Sequence, residues 1–569
     1  MNKKLYLLGE RLESKGKMLP SIYLLPLLQV FLSPSYANAR KPTLGGQNFT
    51  ECAIHLRSND TTLGQCQATC SGWQIASKSE TNLWALPFFG FILPAVVFSM
   101  IVPRKRVLTL PDWMFEILVA SRKRFMFKIA LALLSFVVAV IDNVCWVFTI
   151  FAFAGPMIVG ALEEAVLDFK ILKHGHPYAG AQRQLELLST VVVGNLEVDD
   201  DVADRIFRGL LCDKGSVDAQ PPLNIPAAKV HLSCILDAQM EFADVVGGPV
   251  LFYVISFAYA LNDGSNDRTD ISVSLALAFG MWWMSLVHVS MVSGCLLASN
   301  NPSTLRAVLG DDFDDNDQLD PPDRTPLAQA LLQWFPLVYP KTFKSAWLWN
   351  RGREKHKWIA RIPGFADRIT IAWWEYNLIG LAAILLILIP SILGLIVAYQ
   401  TPQIGLSCRS VAILIYTCTQ ITLIIYFASK SQSISYLPAE RGEQIQTQTR
   451  RKWENRQQWT LGDAFHQLWQ LVFCLAAGVA IFISTAGTLL EIMGVYRNCL
   501  CLANVGSWLN PNSPIKLQPD PAQVREKSLL WWAPTGWSAI GFMMAVCLAG
   551  WWYQLILRKR FERRADEIG

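Results

Sequence analysis

The chain has 569 residues, 52% hydrophobic and 17% charged, with a net charge of +5 and a mean hydropathy of +0.29. Soluble domains carry about 25% charged residues, so this composition excludes an ordinary water-soluble protein. The positive excess is small and matters through its distribution, which orients membrane spans, more than through any attraction to nucleic acid, and no nucleic-acid partner is expected.

Residues 1–39 read as a secretory signal peptide. A basic stretch to Lys17 precedes the apolar run Leu19–Leu32, and Ala37-Asn38-Ala39 supplies a small-residue cleavage pattern. Residues 40–82 are then expected in the lumen or outside the cell. They carry the glycosylation sequons of Asn48 and Asn59, and Cys52, Cys66 and Cys70. In an oxidising compartment two of these three cysteines are expected to pair.

Leu83–Pro103 is the first good span. Arg104-Lys105-Arg106 and Arg122-Lys123-Arg124 follow it, which places its end in the cytosol. The last span lies within Ser528–Leu557, between Trp531-Trp532 and Trp551-Trp552, and runs into a basic tail, residues 558–569. A chain that starts outside and ends inside crosses an odd number of times.

Between these ends lie the apolar runs Phe125–Leu162, Val245–Leu261, Ile271–Leu297, Thr370–Tyr399, Ser410–Ala428 and Phe465–Ile492. One crossing for each breaks the parity. Phe125–Leu162 is too long for one ordinary span. A hairpin turning at the polar pair Asp142-Asn143 makes nine crossings; burying Val245–Leu261 makes seven. The expected fold is therefore an all-α polytopic bundle of about nine (7–9) transmembrane helices. Helices 1–3 fall in residues 83–162, 4–5 in 245–297, 6–7 in 370–428 and 8–9 in 465–557.

The nine-span reading puts cytosolic loops at 163–244, 298–369 and 429–464. The first looks helical over Gln182–Gly194 and Asp201–Leu211. It also places Cys52, Cys66, Cys70, Cys408, Cys499 and Cys501 together on the lumenal side as disulfide candidates. Cys212 and Cys234 become cytosolic thiols, and Cys145, Cys295, Cys418, Cys474 and Cys547 fall in or beside spans.

Few residues suggest chemistry. His174-Gly175-His176 has only Asp168 near it as a further ligand, and reads as a loop rather than a metal site. Asp200, Asp201 and Asp204 have the spacing of a magnesium-binding acidic motif, but they open a predicted helix, where acids are favoured anyway. Asp311 to Asp320 lies in a proline-bearing linker. His288, inside a span beside Ser285, Ser290 and Ser293, is the intramembrane functional candidate; its bland alternative is a neutral imidazole bonded to a neighbouring helix. Glu375 and Glu491 sit at span ends, within reach of water. Tyr339–Trp358 interleaves Trp347, Trp349 and Trp358 with Lys341, Lys344, Arg351, Arg353, Lys355 and Lys357, which suits docking on anionic lipid. No P-loop, kinase, nucleophile-elbow, zincin or zinc-type cysteine motif is present, and no cofactor or metal is expected.

The stretches LALAFGMWWMSLVHVSMVSGCLLASNNPSTL (Leu275–Leu305), PQIGLSCRS (Pro402–Ser410) and EIMGVYRNCLC (Glu491–Cys501) resemble a family of polytopic membrane proteins from filamentous fungi. The resemblance implies a fungal membrane protein, encoded in some relatives near secondary-metabolite genes, and brings no catalytic residues with it. Three functions stay open: a transport or export accessory, a receptor or scaffold, and a membrane-embedded enzyme such as a terpene-modifying one. A non-enzymatic role in a plasma-membrane protein is the expectation.

Overall fold

A computed structural model describes residues 60–69, 85–100, 102–104, 107–108, 125–174, 180–197, 200–212, 223–239, 241–265, 271–298, 308, 337–338, 345–365, 368–401, 404–435, 461–516 and 521–568. Asn48, Asn59, Cys52, Cys70, the signal segment, His176, Asp199 and the linker acids lie outside them, as do Lys341 and Lys344.

The fold is all-α, a helical integral membrane protein. Its helices are α1 (Leu63–Thr69), α2 (Leu86–Ser99), α3 (Phe125–Ala152), α4 (Ala154–His174), α5 (Ala181–Val193), α6 (Asp200–Leu211), α7 (Ile225–Asp237), α8 (Gly248–Ser265, entered by a π-turn at Ala243–Gly247), α9 (Ile271–Gly294), α10 (Arg351–Ala360), α11 (Trp373–Gln400), α12 (Cys408–Ser435), α13 (Leu461–Ile492), α14 (Cys499–Leu502), α15 (Pro521–Lys527) and α16 (Ala533–Glu567). Seven helices among the described residues are long and apolar enough to cross a membrane, in α3, α8, α9, α11, α12, α13 and α16; α2 is apolar but shorter.

The central helix is α9. Its sequence is apolar all round, and such a helix belongs inside a bundle. Ser274–Ser293 is buried throughout, while α3, α8, α11, α13 and α16 turn Phe136, Phe252, Leu381, Leu471 and Trp552 outward. Outward apolar side chains in water would cost free energy; in lipid they do not, because the tails are equally apolar.

One end of the bundle is a disulfide-bonded cap. Cys66 pairs with Cys499, and Cys408 with Cys501. Strand β1 (Asp60–Thr62) pairs antiparallel with β4 (Pro514–Lys516), counting β2 as Val107–Leu108 and β3 as Leu337–Val338. Leu63, Ile515 and Ala503 form a small core around the first disulfide. All four cysteines belong to the sequence-derived set, and Cys145, Cys212, Cys234, Cys295, Cys418, Cys474 and Cys547 are free thiols.

The opposite end is built from α5, α6, α7, α10 and the last turns of α16. Both helical stretches read in the 163–244 loop are present, as α5 and α6. The end of α16 ties this layer to the bundle: Arg558 donates to Leu236 O, Lys229 to Asp566 O and Arg564 to Leu172 O.

The expected turn at Asp142-Asn143 is not formed. Helix α3 runs straight through both residues, and Arg104 supplies their charge and hydrogen-bond needs, at 3.0 Å to Asp142 and 2.5 Å to Asn143. The chain bends instead at Phe153. Strand β2, before α3, pairs with β3, which lies between the ends of α9 and α11 away from the cap. Lys170, near the end of α4, bonds Thr370 O and Glu375 at the start of α11 on that same side. The α3–α4 unit thus enters and leaves on one face. The chain doubles back there, as the hairpin reading expected, with its apex eleven residues later. Val245–Leu261, the other segment in question, is extended by its entering π-turn to a full-length span candidate, Ala243–Asn262.

Candidate functional site: a bent helix and its buried charges

Pro156 has no N–H, so the carbonyl of Ala152 cannot receive its helical hydrogen bond. In lipid an unsatisfied backbone group costs several kcal/mol. Helix α12 supplies what is missing. Gln420 Nε2 donates to Ala152 O at 2.8 Å, and its Oε1 accepts from Gly155 N at 2.9 Å. The carbonyl of Phe151, which Gly155 would otherwise serve, accepts the Tyr416 hydroxyl at 3.0 Å. Gln420 and Tyr416 lie midway along α12, so the break lies near the centre of the bundle's thickness.

Aromatic rings pack the break from both sides. The Phe151 ring lies 5.2, 4.9 and 4.8 Å from Trp282, Trp283 and Tyr416. In the crook between the arms, Trp347 and Trp349 stack at 4.9 Å, with Trp146 at 5.9 Å from one and Phe153 at 5.5 Å from the other. Gly160 lets α4 press against the backbone of Leu348 and Trp349; any Cβ there would overlap them.

Below the crook, α4 carries Glu163, Glu164 and Asp168, all buried. Asp168 is 15 residues beyond the apex, roughly 22 Å at helical rise, so it sits past the half-thickness of a ~30 Å hydrocarbon core. Two cations on α10, spaced to share a face as Glu164 and Asp168 do, meet these acids. Arg351 Nη1 reaches Glu164 Oε2 at 3.4 Å; Lys355 Nζ reaches Glu164 Oε1 at 3.2 Å, Asp168 Oδ1, and the carbonyl of Val191 at 3.1 Å. All four of these side chains are excluded from solvent. Burial, opposed by Lys355 and reinforced by Glu164, pushes the Asp168 carboxyl up to about 7. On the other face of α10, burial and then Lys170 push the His356 imidazole down to about 4.

This arrangement takes Arg351 and Lys355 out of the cations that the lipid-docking expectation for Tyr339–Trp358 drew on, while Lys357 stays exposed. Arg351, Lys355 and Trp358 are buried, and Trp358 donates its indole N–H to Leu196 O. A head group cannot reach Arg351 or Lys355 inside the protein. Glu375 and Glu491 are likewise engaged at their span ends, by Lys170 and Arg409.

His288 is fully buried on α9. Its Nδ1 bonds the carbonyl of Leu386 on α11 at 2.7 Å, and its ring meets Phe542 edge-on at 5.3 Å. Nε2 has no hydrogen-bond partner among the described residues. Ser290 bonds Phe98 O. The structure does not bring His288 to the charged cluster, and Asp204 is exposed on α6. Among the described residues no group of three or more His, Cys, Asp or Glu side chains stands ready for a metal ion. Sequence reading missed Glu163, Glu164 and Gln420. The signal was present for two of them: adjacent glutamates inside an otherwise apolar helix require buried partners.

No family model, curated protein or solved structure matches the chain.

Proposed function

We propose that this is a transport-related protein of fungal secondary metabolism, moving or helping to move a small apolar metabolite across its membrane. The observation that carries the reading is the helix broken at mid-depth, at Phe153 to Pro156, against the buried stretch Ser274–Ser293 of α9. Interrupted helices inside a bilayer persist where protein or a pathway receives their backbone, and in transporters such breaks line the substrate route. In this reading the cap faces the lumen or cell exterior, with glycans on Asn48 and Asn59 after removal of residues 1–39. The helical layer and the C-terminus face the cytosol, and the plasma membrane is the site of action.

Metabolite profiling of a deletion strain tests it. The expected result is product retained in the mycelium and depleted from the medium. Unchanged pools in both places would sink the proposal, and accumulation of an unmodified intermediate would point to an enzyme.

A receptor or scaffold role has one observation in its favour. Helix α16 runs from the cap side through the bundle into the helical layer, a rigid link between the two faces. Crosslinked partners on α5 to α7, with normal export, would support that role.

A further inference from the structure

We propose that Nε2 of His288 is a hydrogen-bond acceptor for the hydroxyl group of a small apolar molecule, at the gap that Pro390 leaves in the backbone of α11. The inference rests on the transport reading for the kind of molecule, and names the chemical group by which the bundle recognises it.

Pro390 lies inside α11 and has no N–H to offer the carbonyl of Leu386, one turn earlier. Helix α9 supplies the donor: His288 Nδ1 is 2.7 Å from Leu386 O. A carbonyl only accepts, so Nδ1 carries the proton and donates it. A neutral imidazole has a single N–H, and a charged one would be a buried cation without a counter-ion. Nε2 is therefore a bare lone pair.

The break at Pro156 provides the comparison. There Gln420 spends both ends of its amide on backbone that the proline leaves unpaired. His288 spends one nitrogen in this way, and the other is fully buried with no hydrogen-bond partner among the described residues. Ser391, next to Pro390, is left in the same condition: its Oγ is buried and without a partner among the described residues. It shares the α9-facing side of α11 with Gly394, where a Cβ would stand 3.1 Å from Ala278 O. Backbone pairing accounts for neither atom, and in lipid a buried polar atom without a partner is costly.

The chemistry of the partner follows. Nε2 takes a hydrogen bond and gives none, so it needs an O–H or N–H; a carbonyl or carboxylate oxygen does not serve. Ser391 offers a second polar contact further along α11. Everything else here is apolar. The imidazole meets Phe542 of α16 edge-on, and Phe542 and Leu386 are both half-buried, so the ring lies one side chain in from the lipid. A molecule dissolved in the bilayer reaches that place without crossing water. Water is the other source of an O–H group, and the experiment separates the two.

The experiment is nitrogen-15 magnetic resonance of the full chain, labelled at histidine, in lipid nanodiscs. It is titrated with menthol and, separately, with menthane, the same skeleton without the hydroxyl. The expected spectrum shows His288 protonated at Nδ1. Its Nε2 signal moves upfield with menthol, saturably, and stays in place with menthane. The double variant P390A/H288L assigns the signal by its loss. P390A restores an N–H for Leu386 O, so removing the imidazole strands no backbone group and the variant should fold. An Nε2 that menthol does not move, one that both compounds move alike, or one already bonded to water and unmoved by menthol overturns the proposal. If the double variant does not fold, the wild-type titration decides: the absence of any histidine nitrogen that moves with menthol alone overturns it. An unresponsive Nε2 with product still retained by the deletion strain strikes this site and spares the transport reading. A responsive Nε2 with unchanged pools does the reverse.

Discussion

Arg409 grips Glu491 across the base of the cap, with Nε on one carboxylate oxygen and Nη2 on the other, both at 2.8 Å. Tyr496 lies beneath the guanidinium, 5.5 Å from ring centre to Cζ. The pair joins the first turn of α12 to the last turn of α13, one residue from the Cys408–Cys501 disulfide. Such a pair is bidentate and nearly dry, so removing one partner strands the other. Arg409→Ala is expected to lose about 3–5 kcal/mol of stability. The double variant with Glu491→Ala should recover much of it. Thermal melts of wild type, both single variants and the double variant in one detergent check both statements; additive losses would show that the pair is not coupled.

The bend at Phe153 predicts a topology. Glycosylation acceptors placed before Phe125 and after His174 should be treated alike, and opposite to one placed in the cap loop near Asn510. Opposite results at the two ends of α3–α4 would mean that the unit crosses once.

Gln420 holds the break with both ends of its amide. Gln420→Leu deletes two buried hydrogen bonds and leaves Ala152 O and Gly155 N unpaired, a cost of about 2–6 kcal/mol at 1–3 kcal/mol per group. Gln420→Glu keeps the acceptor for Gly155 and loses the donor to Ala152, and should fall between. The yield of folded monomer after mild heating ranks the three; equal yields would remove Gln420 from its role.

Two buried groups give stability opposite slopes against pH. Asp168 is raised from 3.8 to about 7, so between those values the folded chain holds a proton that the unfolded chain has released. Its contribution therefore falls as pH rises through that window and is level above it. His356 is lowered from 6.5 to about 4, so the unfolded chain holds the extra proton and its contribution rises with pH over that narrower window. The two nearly cancel between about 4 and 6.5. Melts at several pH values should show wild type gaining on D168N as the medium is acidified. His356→Gln should gain on wild type over the same range. Parallel curves would mean that neither group titrates there.

The membrane architecture was legible because lipid makes a long apolar run meaningful by itself. Each apolar run from Leu83 onward is helical over most of its described residues, and the cysteines that bond were in the candidate set. Asp142-Asn143 misled for a physical reason. A polar pair looks like a turn when its partner is unknown, and Arg104, which neutralises it, lies 38 residues earlier. The real bend at Gly155-Pro156 was hidden in an apolar stretch, since its viability rests on Gln420 and Tyr416. Arg351 and Lys355 looked like surface cations because basic residues among tryptophans usually are. Their four-residue spacing, matched by Glu164 and Asp168, was the available clue.

The dependence of the break on Gln420 also orders events during synthesis. When Gly155-Pro156 leaves the ribosome, the amide that will satisfy it is 265 residues away in an unmade part of the chain. Until α12 is inserted, the α3–α4 bend has nowhere in the bilayer to rest with its backbone paired. The nascent chain must keep that bend within the insertion machinery or at the wet edge of the membrane, and seat it only after the fifth hundred of its residues has begun to emerge. A truncation that stops before α12 is therefore a substrate for quality control rather than a smaller folded protein.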